Sequence, residues 1–346
     1  MRLTKSRFIT ALTCPTKLFY MADKNYANQS VEDTFLAALA EGGFQVGELA
    51  KQYFPDGVNI VTLDATKAVN QTSELLKNEN VTIFEAAIKY ENCFIRIDVL
   101  EKKGHLIKIH EVKAKSVDGN QPSQFLKRDG APNSIWKKYL YDVAFQKWVC
   151  SRALPGHSIA ANLMLADKSK RIAASGLNQK FRVHEINGRK QVQVEGDILK
   201  VHLSPKILTS VNVDNICTGI FTSTDHGLRV EETFDQMVRR FSSACEHGQL
   251  IQSQLGTHCG QCEFVCTKDD KLIGKKDGRS ECFTRILGVD PSIFEKPTVF
   301  DLWNFRGKQK FIDEGIISLS DLTEEDINVS SAAYGYAQRT AITHPA

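Results

Sequence analysis

The sequence predicts an α/β protein with a mixed central sheet flanked by helices, and three segments support this fold class. Residues 83–116 read as three consecutive strands of an antiparallel meander. Residues 134–153 have the pattern of an amphipathic helix, and the short apolar run 159–166 follows between turn residues. Such a run after a helix is typical of a buried strand that returns to the sheet by a helical crossover. The sheet should therefore contain both antiparallel and parallel strand pairs.

The composition is that of a globular protein with one large domain or two. The chain has 346 residues, of which 42% are hydrophobic and 25% are charged. Its net charge of +3 does not require a polyanionic partner, although lysines are frequent between residues 101 and 115. No segment approaches the ~20 apolar residues of a membrane span, and the N-terminus is too polar for a signal peptide. We therefore expect a cytoplasmic protein with no membrane contact.

The part of the chain before the meander should be helical. Residues 4–22 read as a helix that breaks near Pro15, because proline cannot donate a helical hydrogen bond. Residues 30–54 read as a second helix, interrupted by the glycine pair 42–43, and residues 67–77 read as a third. These helices should flank the sheet.

After the crossover strand the chain becomes more polar. We interpret residues 168–195 as a surface insertion with a hairpin at about 187–188, and residues 199–203 as a further strand. Residues 230–246 form an amphipathic helix pattern that leads into a cluster of cysteines.

Three regions follow from these patterns. Residues 1–285 should form the main domain, residues 286–330 a small helical appendage, and residues 331–346 a flexible tail. Two short helices joined by a glycine turn can bind a DNA backbone, but a helical cap on the main domain explains the appendage equally well.

The turn at Glu91-Asn92 sets the pairing of the first two strands of the meander. It reads as a two-residue hairpin turn, and in its register one face of the pair is almost entirely apolar. On the other face Glu85 lies directly opposite Asp98, with Cβ atoms about 4.5–5.5 Å apart. Two carboxylates this close repel each other unless a cation or a proton lies between them.

The third strand adds a carboxylate and a lysine. Glu111 and Lys113 are two residues apart, so both side chains point to one face. Carboxylates bind Mg²⁺ or Mn²⁺, such a metal polarises a phosphate and activates water, and a lysine can neutralise developing negative charge. Glu-x-Lys alone is a weak signal, and a meander with a solvated polar face is the ordinary alternative. Together with Glu85 and Asp98, however, it predicts metal-dependent cleavage of a phosphodiester.

The nine cysteines form a second candidate site. Their odd number, in a protein expected in the cytosol, argues against a disulfide framework. Cys259, Cys262, Cys266 and Cys282 are clustered and could bind zinc by themselves, or one of them could be replaced by Cys14. Four thiolates suit a [4Fe-4S] cluster equally well. The remaining cysteines are expected to be small buried hydrophobic residues, namely Cys93, Cys150, Cys217 and Cys245.

The order of these features resembles a known family. A cysteine near the N-terminus precedes helices, an Asp…Glu-x-Lys meander, a helix with a glutamine, and clustered cysteines. The matching phrases are Leu3-Thr4-Lys5-Ser6-Arg7-Phe8, Cys14-Pro15, Val46-Gly47-Glu48-Leu49-Ala50, Ile83-Phe84-Glu85-Ala86-Ala87, Arg96-Ile97-Asp98-Val99-Leu100, Glu111-Val112-Lys113, Asp142-Val143-Ala144-Phe145-Gln146, Cys262-Glu263-Phe264 and Glu281-Cys282-Phe283. They resemble the RecB-like branch of the PD-(D/E)XK nucleases that carries an iron–sulfur cluster, with relatives in the CRISPR-associated adaptation nucleases and the nuclease domain of AddB. The greatest similarity is to the bacterial family labelled domain of unknown function 2779, over about residues 3–330 apart from the insertion.

The resemblance implies a restriction-endonuclease-like fold and assigns roles to individual residues. Asp98 and Glu111 would be metal ligands, with the carbonyl of Val112 as a third. Lys113 would be the catalytic lysine, and Gln146 would contact the substrate or steady the site. The implied activity is that of a Mg²⁺- or Mn²⁺-dependent DNA nuclease that acts on single strands or DNA ends.

The resemblance also selects the ligands of a [4Fe-4S] cluster. They would be Cys14, Cys259, Cys262 and Cys282, with Cys266 as the alternative. The cluster would connect the first helix to the last and would be mainly structural.

Two departures from the family affect these expectations. Many relatives have a histidine metal ligand in the second helix, where this chain has Gly47. Glu85 is our candidate for the replacement ligand. Longer members of the family continue into an exonuclease-like domain, so this chain would be a short form or a fragment, or would act with a protein partner. An inactive nucleic-acid-binding scaffold is the alternative function; the missing histidine favours it and the intact Asp98…Glu111-x-Lys113 set opposes it.

Overall fold

The computed structural model describes most of the chain. The described residues are 1–31, 34–119, 125–172, 175–186, 189–196, 198, 203–323 and 326. Within them, no helix combines the length and the apolar character needed to cross a membrane.

Nine strands are described. They are β1 (Leu3–Thr4), β2 (Val58–Asn59), β3 (Asn80–Tyr90), β4 (Cys93–Lys103), β5 (Leu106–Val117), β6 (Ser158–Asp167), β7 (Phe181–Ile186), β8 (Arg189–Val194) and β9 (Leu208–Asn212).

The α-helices lie before, between and after these strands. They are α1 (Lys5–Thr13), α2 (Lys17–Ala22), α3 (Thr34–Gln52), α4 (Ala65–Leu75), α5 (Ser134–Ala153), α6 (Asp214–Thr222), α7 (Phe234–His247), α8 (Lys268–Leu272), α9 (Gly278–Leu287) and α10 (Lys308–Asp313).

The main sheet is mixed, which confirms the predicted α/β class. Its strands follow the order β2-β3-β4-β5-β6-β9, and β1 pairs with β4 outside this path. The β3–β4, β4–β5 and β6–β9 pairs are antiparallel, whereas β2–β3, β5–β6 and β1–β4 are parallel. The β5–β6 connection contains α5, so the predicted helical crossover is also confirmed.

The predicted register of the first hairpin is confirmed. Tyr90 pairs with Cys93 at the turn, and Phe84 pairs with Val99 farther along the same ladder. The apolar face of this hairpin is buried, which explains why the register is well determined.

Helices cover both faces of the sheet. Successive residues of a strand point to opposite faces, and β5 shows this directly. Glu111 points towards α5, where its side chain meets Gln146. Val112 packs in a cluster with Leu49 and Ala50 of α3. The candidate site residues of β5 therefore lie under α5.

The chain divides into two compact units. The first contains Met1–Leu12 and Thr34–Gln249, and the second contains the described residues of Thr13–Asp33 and Leu250–Ala346. The units are therefore divided at 12/13, 33/34 and 249/250, and the domain boundary predicted from the sequence, at 285/286, lies within the second unit. The clustered cysteines and the short helices of the expected appendage belong to the second unit.

Helix α3 differs from its prediction. The glycine pair 42–43 was expected to interrupt it, but the helix runs without a break through both residues. A glycine in a helix costs only about 1 kcal/mol relative to alanine, and the packing of the last turns of α3 against the sheet offsets that cost.

Several predictions concern residues that lie next to, or outside, the residues that the structure describes. Strands β7 and β8 form an antiparallel pair on either side of 187–188, in agreement with the hairpin expected there, although 187–188 themselves are not described. The strand predicted at 199–203 lies almost wholly outside the described residues, as does the tail 331–346.

Candidate active site and cysteine cavity

The candidate active site begins where the β4–β5 ladder ends. The last pair of this ladder is Val99 with His110. Beyond it, Asp98 Oδ2 accepts a hydrogen bond of 2.7 Å from the backbone N–H of Val112. The Asp98 side chain thus replaces a ladder partner for β5, and this contact fixes the carboxylate beside Glu111.

Glu111 is the centre of the site. Its side chain is only 1% exposed, and an ammonium group contacts each of its two carboxylate oxygens. Oε1 accepts from Lys113 Nζ at 2.5 Å, and Oε2 accepts from Lys5 Nζ at 2.8 Å and from Gln146 Nε2 at 2.7 Å. Burial alone would raise the pKa of Glu111, but the two ammonium groups outweigh burial and hold the pKa well below its usual range. Glu111 is therefore ionised throughout the neutral range.

Lys113 lies between two carboxylates. Besides Glu111, its Nζ is 3.1 Å from Asp142 Oδ2. Burial disfavours the charged ammonium, but the charges of Glu111 and Asp142 outweigh this effect and raise the pKa of Lys113. At neutral pH Lys113 is a hydrogen-bond donor with a fixed positive charge and cannot act as a base.

Asp98 has the opposite electrostatic balance. Its side chain is 29% exposed. Burial, followed by the negative charge of Glu111, raises the pKa of Asp98 to about 7, although Lys5 and Lys113 act in the other direction. Near neutral pH the Asp98 carboxyl is therefore only partly ionised, and a cation bound beside it would displace its proton.

Helix α5 supplies two further groups. Asp142 and Gln146 are one helical turn apart, and Gln146 Nε2 donates to Asp142 Oδ1 at 3.0 Å as well as to Glu111. Burial raises the pKa of Asp142, and the charge of Glu111 adds to this effect. Gln146 Oε1 is buried and has no hydrogen-bond partner among the described residues. The amide therefore orients Glu111 and Asp142 and still has one free acceptor.

Glu85 takes a different position from the other predicted residues. The β3–β4 ladder pairs the residues on either side of it, but Glu85 and Asp98 are not themselves a ladder pair. Its φ of +57° lies in the left-handed region, which an L-residue rarely adopts and which disturbs the regular alternation of the strand. Its side chain forms no hydrogen bond or ion pair with any described residue. Glu85 thus does not join the network around Glu111.

Two members of the network were not predicted as site residues, namely Lys5 and Asp142. Lys5 begins α1 directly after β1, and β1 pairs with β4 at Cys93 and Phe94. The sequence predicts Lys5 within a helix and carries no signal for this short strand. Asp142 did have a signal, because its spacing from Gln146 puts both on one helix face.

The second unit brings together four cysteines. A small cavity is lined by Cys14, Cys259, Cys262 and Cys282, together with Lys17, Tyr20, His258, Arg279 and Phe283. Cys266 lines a separate cavity, and its Sγ lies 3.5 Å from the carbonyl oxygen of Lys275. The structure therefore separates Cys266 from the other four.

The thiols in this cavity are held in a mixed environment. Burial raises the pKa of Cys262 to about 12, and burial also raises that of Cys282. Tyr20 Oη lies 3.0 Å from Cys282 Sγ, and Arg285 lies 3.6 Å from the same sulfur. Without a bound cation Cys262 and Cys282 are protonated, so metal binding through these two thiols would release protons.

The other four cysteines are buried, as predicted, and they are Cys93, Cys150, Cys217 and Cys245. Across the described part of the chain, no three His, Cys, Asp or Glu side chains are arranged as the ligands of a single metal ion.

Comparisons with protein-family models, curated proteins and solved structures find no match for this chain. The resemblance to RecB-like nucleases therefore stays a prediction from the sequence.

Proposed function

We propose that this protein is a Mg²⁺- or Mn²⁺-dependent nuclease that hydrolyses phosphodiester bonds in DNA, at single strands or at ends. The observation that carries the proposal is the convergence of Asp98, Glu111 and Lys113 from two strands into one network around the buried Glu111 carboxylate. The mixed sheet with its crossover helix is compatible with the restriction-endonuclease-like fold that the sequence resemblance implies.

The chemistry of the donors suits a hard divalent cation. Mg²⁺ is commonly held by one or two carboxylates and keeps several water ligands. The Lys5 ammonium lies 2.8 Å from Glu111 Oε2 and 3.7 Å from Asp98 Oδ1, so a positive charge is already favourable between these carboxylates. Asp98, Glu111 and the Val112 carbonyl would hold the ion, and Glu85, the replacement ligand expected from the sequence, would be a further ligand. A bound ion would polarise the phosphate and activate water.

The protein's own residues have defined roles in this proposal. Lys113 stays protonated and donates to a phosphate oxygen or to the attacking water. Asp142 holds Lys113 in place, and Gln146 fixes the orientation of Glu111. With a divalent cation bound beside Asp98, the Lys5 ammonium would leave the two carboxylates and would then be able to donate to a second phosphate oxygen.

The four-cysteine cavity is our proposed site for a [4Fe-4S] cluster, with zinc as the alternative cofactor. Cys14, Cys259, Cys262 and Cys282 share one cavity, and four thiolates are the usual ligands of such a cluster. Arg279 also lines this cavity, and its charge would partly offset that of the thiolates, whereas the Lys17 ammonium is paired with Glu263.

A nucleic-acid-binding scaffold without catalysis is the second candidate. The observation that favours it is Lys5, whose ammonium lies between the carboxylates that should hold metal.

One experiment separates the two candidates. Labelled single-stranded DNA is incubated with Mn²⁺ and with wild-type protein, Asp98→Ala or Lys113→Ala. We expect cleavage by wild type and losses of about 100-fold or more in both variants. Lys108→Ala, on the same strand, is the matched control and should cleave as wild type does. Equal cleavage by all four proteins would contradict the nuclease proposal. If wild type binds the DNA but does not cleave it, the nucleic-acid-binding scaffold is supported.

A further inference from the structure

A row of β5 side chains faces a row of α5 side chains. Glu111 meets Gln146 at one end, and Lys113 meets Asp142 next to it. Along the same helix face, one turn before Asp142, lies Tyr139, with Lys113 Nζ 6.0 Å from its ring centre. The candidate active site therefore continues without a gap towards the N-terminal end of α5.

The β5 strand changes shape as it leaves the site. Its pairing with β6 shifts between Lys113 and Ser116, which is a β-bulge or an equivalent irregularity. Bulges next to active sites redirect side chains, and here Lys115 is directed at the aromatic rings of α5. Its Nζ lies 4.8 Å from the centre of the Trp136 ring and 5.4 Å from that of Tyr139.

Positive charge is concentrated around Tyr139. Lys138 Nζ lies 4.9 Å from the ring centre, so three ammonium groups surround one half-buried tyrosine. Lys113 is paired with carboxylates, but neither Lys115 nor Lys138 forms an ion pair with any described residue. These two lysines are held by aromatic rings and keep their charge available for an external anion.

We infer that Tyr139, Lys115 and Lys138 form a contact site for single-stranded nucleic acid. Tyr139 stacks on a nucleobase, and the two lysines bind the adjacent phosphates. Aromatic stacking beside basic groups is how proteins hold single strands without sequence preference. In a duplex each base face is covered by its neighbours, so stacking on Tyr139 requires a single strand or a frayed end. The inference rests on the proposed function for its choice of substrate, and it names the side from which the strand reaches Lys113.

Binding of fluorescein-labelled oligothymidine, measured by anisotropy with EDTA present, tests the site without cleavage. We expect Tyr139→Leu to weaken binding about 5- to 100-fold with little change in salt dependence. Tyr139→Phe, which keeps the stacking ring, should bind within about twofold of wild type. Lys115→Gln and Lys138→Gln should each weaken binding and each reduce the slope of log K against log salt by about 0.7.

Lys89→Gln removes an exposed lysine from β3 and should leave both affinity and slope unchanged. Wild-type affinity in Tyr139→Leu, an equal loss in Tyr139→Phe, or no binding by wild type overturns the inference. If wild type cleaves DNA but these variants bind it as tightly as wild type does, the inferred contact site is wrong and the nuclease proposal stands. If the variants show the expected binding pattern but wild type does not cleave DNA, the contact site is supported and the nuclease proposal is wrong.

Discussion

The ammonium group of Lys5 donates a hydrogen bond of 2.8 Å to Glu111 Oε2. The same nitrogen lies 3.7 Å from Asp98 Oδ1, so one lysine from the start of α1 bridges the carboxylates of β4 and β5. A divalent cation that binds these carboxylates must therefore compete with Lys5, and the metal-free and metal-bound proteins should respond differently to its removal.

Substitution of Lys5 by methionine tests this competition. In metal-free protein Lys5→Met should lower the free energy of unfolding by about 1–3 kcal/mol, because buried Glu111 loses one of its two charged donors. Added Mn²⁺ should raise the melting temperature of the variant by more than that of wild type, since the ion no longer displaces an ammonium. Thermal melts with EDTA and with Mn²⁺ measure both effects, and Lys89→Met is the control. An equal response of variant and wild type to Mn²⁺ would contradict the competition.

The raised pKa of Asp98 predicts a pH dependence of stability. The folded-state pKa is about 7, above the reference value of 3.8, so the folded protein binds the Asp98 proton more tightly than the unfolded chain does. This contribution to stability is complete below pH ~4 and is lost as the pH rises through 7. Asp98→Asn should therefore be more stable than wild type at pH 8 in EDTA, by roughly 1–2 kcal/mol after allowance for solvent exposure.

Urea unfolding of both proteins between pH 5 and pH 8 measures this effect. The difference between the two curves isolates Asp98 from the buried histidines His110 and His226, whose lowered pKa values act in the opposite sense in both proteins. A difference that stays constant over this range would show that Asp98 does not titrate there. Mn²⁺ should reverse the order of stability, because the aspartate carboxylate binds the ion more tightly than the neutral asparagine amide does.

Local patterns in the sequence were sufficient for the hairpin and the crossover. The two-residue turn after Tyr90 and the apolar face that includes Ile97 determine the β3–β4 register, since any slip would expose that face. Strand β6 was predicted from a short apolar run, because a strand that is buried on both faces consists of consecutive apolar residues. The placement of Glu111, Lys113 and Gln146 in one network follows from these elements.

Contacts between distant segments were harder to predict. Lys5 reaches the site only because two residues of β1 pair with β4, and a strand of that length leaves no periodic signal. Glu85 was expected to face Asp98 by strand alternation, but its left-handed backbone departs from that rule at one residue. The spacing of the cysteines could not distinguish Cys266 from Cys282, because spacing does not show that Cys282 lines the cavity of Cys14 whereas Cys266 lines another.

Gln146 should influence activity through Glu111 and not through DNA binding. Gln146→Met removes the donor to Glu111 and Asp142 but keeps a side chain of similar length, so metal-dependent cleavage should fall about 10- to 100-fold. The affinity for single-stranded DNA in EDTA should not change. Gln146→Glu should unfold at lower urea than Gln146→Met, because it adds a carboxylate beside buried Glu111. Normal cleavage in Gln146→Met would show that the lysines alone orient Glu111.

The separation of Cys266 from the four-cysteine cavity gives a matched pair of variants for the cofactor. Cys282→Ser removes a thiol that lines the cavity, and Cys266→Ser removes one that lines a different cavity. Purified without oxygen, wild type and Cys266→Ser should be brown and contain about four irons per chain, whereas Cys282→Ser should lose most of the iron and melt at a lower temperature. Iron, sulfide and zinc analyses, with the absorption spectrum, measure this directly. Loss of iron from Cys266→Ser with retention in Cys282→Ser would show that Cys266 is the ligand instead of Cys282. A colourless wild-type protein that contains zinc would show that the cofactor is zinc and not an iron–sulfur cluster.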